Sequence, residues 1–117
     1  MKVVIFMENS TCRDTVACAH GLSMYIETDK HKILFDMGPD AQFIDNAKAL
    51  GVDLTQVDIA FLSHAHNDHC GGLEAFLKLN DRTKVYMQKA VWGQCFVVTP
   101  SKCAYIGMDA VLKNYED

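Results

Sequence analysis

The chain has 117 residues, of which half are hydrophobic and 22% charged, and its formal net charge is -4. That balance excludes a disordered chain, which lacks the apolar content to build a core. Scattered acids without a basic patch exclude a binder of nucleic-acid backbones. The length sets an upper bound of one domain. No apolar run approaches membrane-spanning length, so no membrane association is expected. The five apolar residues after Lys2 are also too few for a signal-peptide core, which leads to a cytoplasmic expectation.

In chain order, Val3–Met7 (VVIFM) reads as a strand with both faces buried. Leu22–Thr28 and Lys32–Asp36 read as a β-hairpin whose turn is built on Asp29 and Lys30. Pro39 suits a first helical position. Phe43, Ile44, Ala47 and Leu50 then recur at helical spacing, and Gly51 stands where a helix ends. Val57–Ser63 is the next strand. After Gly71 and Gly72, the residues Leu73, Phe76 and Leu77 mark a second amphipathic helix. Val85–Met87 is a short strand, and a further strand is expected near Tyr105 in an otherwise weakly patterned stretch. Asp109 would cap a last helix through Leu112 toward Tyr115. Strands alternating with helices, one pair of them antiparallel, predict an α/β fold with a mixed sheet flanked by helices.

The strand ending at Ser63 runs into HAHNDH, residues 64–69, which holds three of the chain's five histidines. Extended backbone places side chains two apart on one side, so His64, His66 and Asp68 would share a side and His69 would look elsewhere. Ala65 is small enough to sit between ligands, and Gly71–Gly72 would let the backbone turn sharply into the helix. Imidazole and carboxylate donors suit Zn²⁺ first, with Fe or Mn as alternatives. The loop can serve two neighbouring cations, His64 and His66 on one and Asp68 and His69 on the other. Two such ions roughly 3.5–4 Å apart can lower the pKa of a water and clamp the charge of a hydrolytic transition state.

H-x-H-x-D-H after an apolar strand, followed by G-G and a helix, resembles the signature of the metallo-β-lactamase-fold hydrolase superfamily. HGLSMYIET (20–28), ILFDMGPDAQFIDNAKALGVDL (33–54) and YIGMD (105–109) are similar to one branch of it. That branch includes the dihydropterin–aminobenzene ribofuranosyl phosphate synthases of methanopterin biosynthesis. The resemblance implies the N-terminal half of an αββα sandwich. It also implies His64 and His66 as ligands of a first metal, Asp68 and His69 as ligands of a second, and a part for Asp68 in orienting the attacking water. Asp36, at the end of KILFD, matches an acid placed beneath the metal loop, where it can accept hydrogen bonds that fix the ligands.

Other polar residues read more plainly. His20 beside Gly21 fits a packed or capping histidine better than a pocket residue, and His31 adjoins the hairpin turn and is expected in solvent. Cys70 is expected to pack, and Trp92 either covers the site or fills the core. Five cysteines, an odd number without a C-x-x-C pair, point to free thiols.

A centre of two metals takes roughly five or six protein donors, and the loop supplies four. No histidine follows His69. Residues 1–117 are therefore expected to form a partial domain whose C-terminal half is absent, with one apolar sheet face left open. The primary reading is a metal-dependent hydrolase of a small-molecule substrate, completed by a C-terminal half or a second copy. The alternatives are a non-catalytic metal-binding or self-associating fragment and a transferase of the methanopterin-pathway kind.

Overall fold

A computed structural model describes residues 1–93, 95–109 and 112. Five strands form one sheet in the order β1 (Lys2–Met7), β2 (Ser23–Glu27), β3 (Lys32–Met37), β4 (Ile59–Phe61) and β5 (Lys84–Tyr86). The first three pair antiparallel, while β3–β4 and β4–β5 pair parallel. Parallel neighbours need a crossover. Helix α1 (Gln42–Ala49) supplies the first, and α2 (Asn67–Cys70) with α3 (Leu73–Leu79) supplies the second. The mixed sheet with helices packed against it is the α/β arrangement expected.

Register explains which side is covered. Val4, Tyr25, Leu34, Ala60 and Val85 are lateral neighbours across all five strands. Tyr25, Leu34 and Ala60 of that row are buried together with Phe43 and Ala47 of α1 and Leu73 and Phe76 of α3. The opposite face carries the rows Val3–Ile26–Ile33–Ile59 and Ile5–Met24–Phe35–Phe61–Tyr86. It is equally apolar but open: Val3, Ile5, Phe61 and Tyr86 are 39% to 52% exposed. The expectation that β1 is buried on both faces is thus corrected. Alternate residues of VVIFM point to opposite sides of the sheet, and only one side is covered here.

Local chemistry sets the element ends. Helix α1 closes with paired bonds from Val52 N–H to Ala47 O (2.9 Å) and Gly51 N–H to Lys48 O (3.1 Å), with Gly51 at φ 76°. This is the glycine stop expected there. Pro39 does not open the helix. The Asp40 carboxylate accepts the Gln42 N–H at 2.9 Å, so the helix starts three residues later than Pro39. The hairpin turn is as expected, with Thr28 N–H donating to His31 O at 2.8 Å.

Strand β4 is shorter than Val57–Ser63 because Val57 O accepts from the Asn80 side chain (2.9 Å) and the Thr83 hydroxyl (2.7 Å) instead of a ladder partner. Strand β5 lies one residue earlier than expected. The stretch with little pattern contains a separate hairpin, β6 (Phe96–Thr99) and β7 (Lys102–Tyr105). The last helix expected from Asp109 falls largely outside the described residues.

Candidate metal centre

The loop after β4 starts at Leu62 and closes into the single turn of α2. The carbonyl of His66 accepts the N–H groups of His69 and Cys70, both at 3.0 Å, and Asn67 N–H donates to Ile106 O at 2.7 Å. This turn corrects one sequence expectation. An extended run would aim His69 away from His64, His66 and Asp68, but residues 67–70 are helical and His69 comes back over the loop. Its ring centroid lies 4.2 Å from that of His64, and the His64 and His66 centroids are 4.7 Å apart. Among the described residues, two groups have ligand atoms all within 4.8 Å of one another. They are His64, His66 and Asp68, and Asp36, His64 and His69. All five residues singled out from the sequence are therefore brought together.

Asp36 is fully buried and holds a left-handed backbone at φ 54°, a conformation that asparagine and aspartate tolerate better than most side chains. Its Oδ1 accepts the Ser63 N–H at 2.8 Å, and its Oδ2 accepts the Ser63 hydroxyl at 2.6 Å and His69 Nδ1 at 2.7 Å. The hydroxyl spends its one proton on Asp36. Its contact with His64 Nδ1 at 2.7 Å must then be a bond donated by the imidazole. His64 and His69 are consequently both protonated at Nδ1, and each leaves a lone pair on Nε2. Burial, followed by the neighbouring His69 and His66, holds the His64 pKa below the ordinary histidine value, which favours the neutral ring a metal requires. Sequence reasoning missed Ser63. Its only signal was a hydroxyl next to the first histidine.

The glycines after the loop serve close packing, not an unusual turn. Gly71 and Gly72 both have ordinary right-handed backbone. A Cβ on Gly71 would collide with the Pro39 carbonyl, and one on Gly72 with the Met37 carbonyl. This contact presses the loop onto the end of β3, beside Asp36.

The structure also places the other four side chains weighed from the sequence, His20, Cys70, Trp92 and His31. His20 is not a packed residue: its side chain is 81% exposed and its Nε2 lies 3.2 Å from Asp68 Oδ2. Cys70 packs as expected, buried with its thiol donating to Ala65 O at 3.4 Å, and burial pushes its pKa up to about 11. Trp92 is half-buried against the core and lines a cavity with Leu73 and Leu77. His31 sits in solvent against Asp58 at 3.2 Å.

A mixed sheet whose β4 leads into this histidine loop, with a buried acid beneath it, defines an α/β fold with a candidate metal centre at the end of a strand. The metallo-beta-lactamase superfamily model matches residues 17–91, and the chain belongs to that superfamily. The chain is 33% identical over 87 residues to a 7,8-dihydropterin-6-methyl-4-(beta-D-ribofuranosyl)-aminobenzene-5'-phosphate synthase of Methanocaldococcus jannaschii, covering 69% of this chain and 30% of the relative. An uncharacterized protein of the same organism is 31% identical over 115 residues, covering 97% of this chain and 43% of the relative. Among solved structures, Tm1679, a metal-dependent hydrolase of the beta-lactamase superfamily, superposes with a TM-score of 0.72 at 28% identity. That match covers 95% of this chain and 38% of Tm1679. The chain spans less than half the length of these relatives.

Proposed function

We propose that this chain carries the metal-ligating part of a metal-dependent hydrolase. The observation that carries the reading is the convergence of His64, His66, Asp68 and His69 over one buried carboxylate that fixes two of the imidazoles. The donor set fits a transition metal. His64 and His69 present free Nε2 lone pairs, and histidine with carboxylate suits Zn²⁺, with Fe or Mn as alternatives. In this reading His64 and His66 hold one ion and Asp68 and His69 the other. Such ions supply Lewis acidity, lowering the pKa of a water and screening the charge that develops in hydrolysis.

The chain's own residues do the positioning. Asp36 sets the tautomer and ring plane of His69 directly and of His64 through Ser63. Asp68 accepts a hydrogen bond from the attacking water and orients it. The remaining donors that two ions need come from a complementary C-terminal segment or a second copy seated on the open sheet face. A transferase reading, supported by the relative named as a synthase, would use the same centre. Metal content of the purified chain, with and without such a partner, and turnover of phosphodiester, lactam and thioester model substrates test the proposal. We expect about one or two ions per chain, and loss of both metal and turnover in His66→Ala. Less than one ion per chain, or turnover indifferent to His66→Ala, would contradict it.

A further inference from the structure

His20 takes no part in the reading above, yet it is tied into Asp68 from a different segment. The loop that follows β1 supplies Asn9, whose Oδ1 accepts the Gly21 N–H at 3.2 Å. That bond fixes the amide, so its NH₂ group is the one facing His20 Nδ1 at 3.2 Å. An amide NH₂ only donates, which makes Nδ1 the lone-pair nitrogen of His20 and places the ring proton on Nε2. Nε2 in turn faces the Asp68 carboxylate, 3.2 Å from its Oδ2.

The backbone makes the same clasp. Leu22 N–H donates to Asp68 O at 3.3 Å, and a Cβ on Gly21 (φ 143°) would run into that same carbonyl. Residues 20–22 therefore close on Asp68 through main chain and side chain together. His20 itself belongs to neither group of ligand atoms found within 4.8 Å of one another.

We infer that His20 is a positioning residue for the metal centre: its Nε2–H, directed by Asn9, holds the Asp68 carboxylate beside His64 and His66 while the imidazole stays outside the ligand set. The inference rests on the proposed metal reading. It assigns to Asp68 the kind of outer hydrogen bond that Asp36 gives His69, here with a histidine donating to a ligand carboxylate.

Zinc affinity, measured on the full chain by competition with a chromophoric chelator, tests it. His20→Ala should bind with unchanged stoichiometry and roughly tenfold lower affinity, at the low end of effects for such partners because the ring is exposed. His20→Gln, whose amide can still donate, should recover most of the loss, and the exposed control His31→Ala should leave affinity unchanged. The ring ¹⁵N shifts of the metal-free protein should report an Nε2-protonated His20. Wild-type affinity in His20→Ala, a lost equivalent of zinc in His20→Gln, or an Nδ1-protonated ring would each overturn the inference. Absence of zinc binding by the wild-type chain would instead overturn the functional reading on which it rests.

Discussion

Asp36 spends both carboxylate oxygens on its neighbours, and its three hydrogen bonds decide where two imidazoles keep their protons. An amide at this position keeps the size but replaces one acceptor with a donor. Asp36→Asn should therefore set a donor against the Ser63 N–H, or against both the Ser63 hydroxyl and His69 Nδ1, and lower metal affinity roughly 10–100-fold. Competition titration against a chelator measures this, and unchanged affinity would show that Asp36 does not orient the ligands. The ligand candidates themselves were legible from side-chain chemistry and density alone, because three of five histidines fall in one loop. The aim of His69 was not. Its expected direction assumed a period of two, and the single helical turn Asn67–Cys70 carries its side chain back over the loop. Ser63 and the Asn9–His20 contact were equally hidden, since each depends on segments distant in sequence meeting in space.

At the level of elements, β2 shows how the covered face is sealed. Tyr25 is buried, its ring stacks on Phe6 with centroids 5.8 Å apart, and its hydroxyl donates to Glu27 at 2.8 Å. Burial first, then the Glu27 hydrogen bond and charge, raise the phenol pKa to about 12, against about 10 in an unfolded chain. The sign follows from linkage. Between those values the folded state holds a proton the unfolded state has released, so stability present below pH 10 is lost as pH rises toward 12. Urea midpoints should fall across that window, and Tyr25→Phe should flatten the decline. An identical slope in both proteins would contradict the assignment.

Strands and helices with a clear period were readable, as was the glycine stop of α1. The ends were less so, because side chains decide them: Asp40 for the start of α1, and Asn80 and Thr83 for the start of β4. Asn80 also accepts from Arg82 and Thr83 N–H, binding the end of α3 to the entry of β5. Strand β7 is the strand expected near Tyr105. Its partner β6 escaped notice because Phe96, Val97 and Val98 are all exposed, and no alternation of buried and solvated positions marks the strand.

For the molecule as a whole, the sheet has two apolar faces and helices on one. Composition could announce that a core exists, but it could not say which side of VVIFM faces it, since alternate apolar residues serve either side equally. The open face, with Phe61 and Tyr86 stacked at 5.6 Å, runs up to the end of β4 from which the histidine loop departs. A complementary segment seated on it would therefore bring its own donors to the centre. Among the described residues, no helix is long and apolar enough to cross a membrane.

Everything proposed for this chain depends on cations sitting among the loop side chains. Diffraction at the zinc absorption edge, from crystals grown with zinc, locates them directly. An anomalous peak is expected about 2.0–2.1 Å from His64 Nε2, shared with His66, with His69 Nδ1 still held by Asp36. Peaks confined to the exposed cysteines, or none within reach of His64, would contradict it.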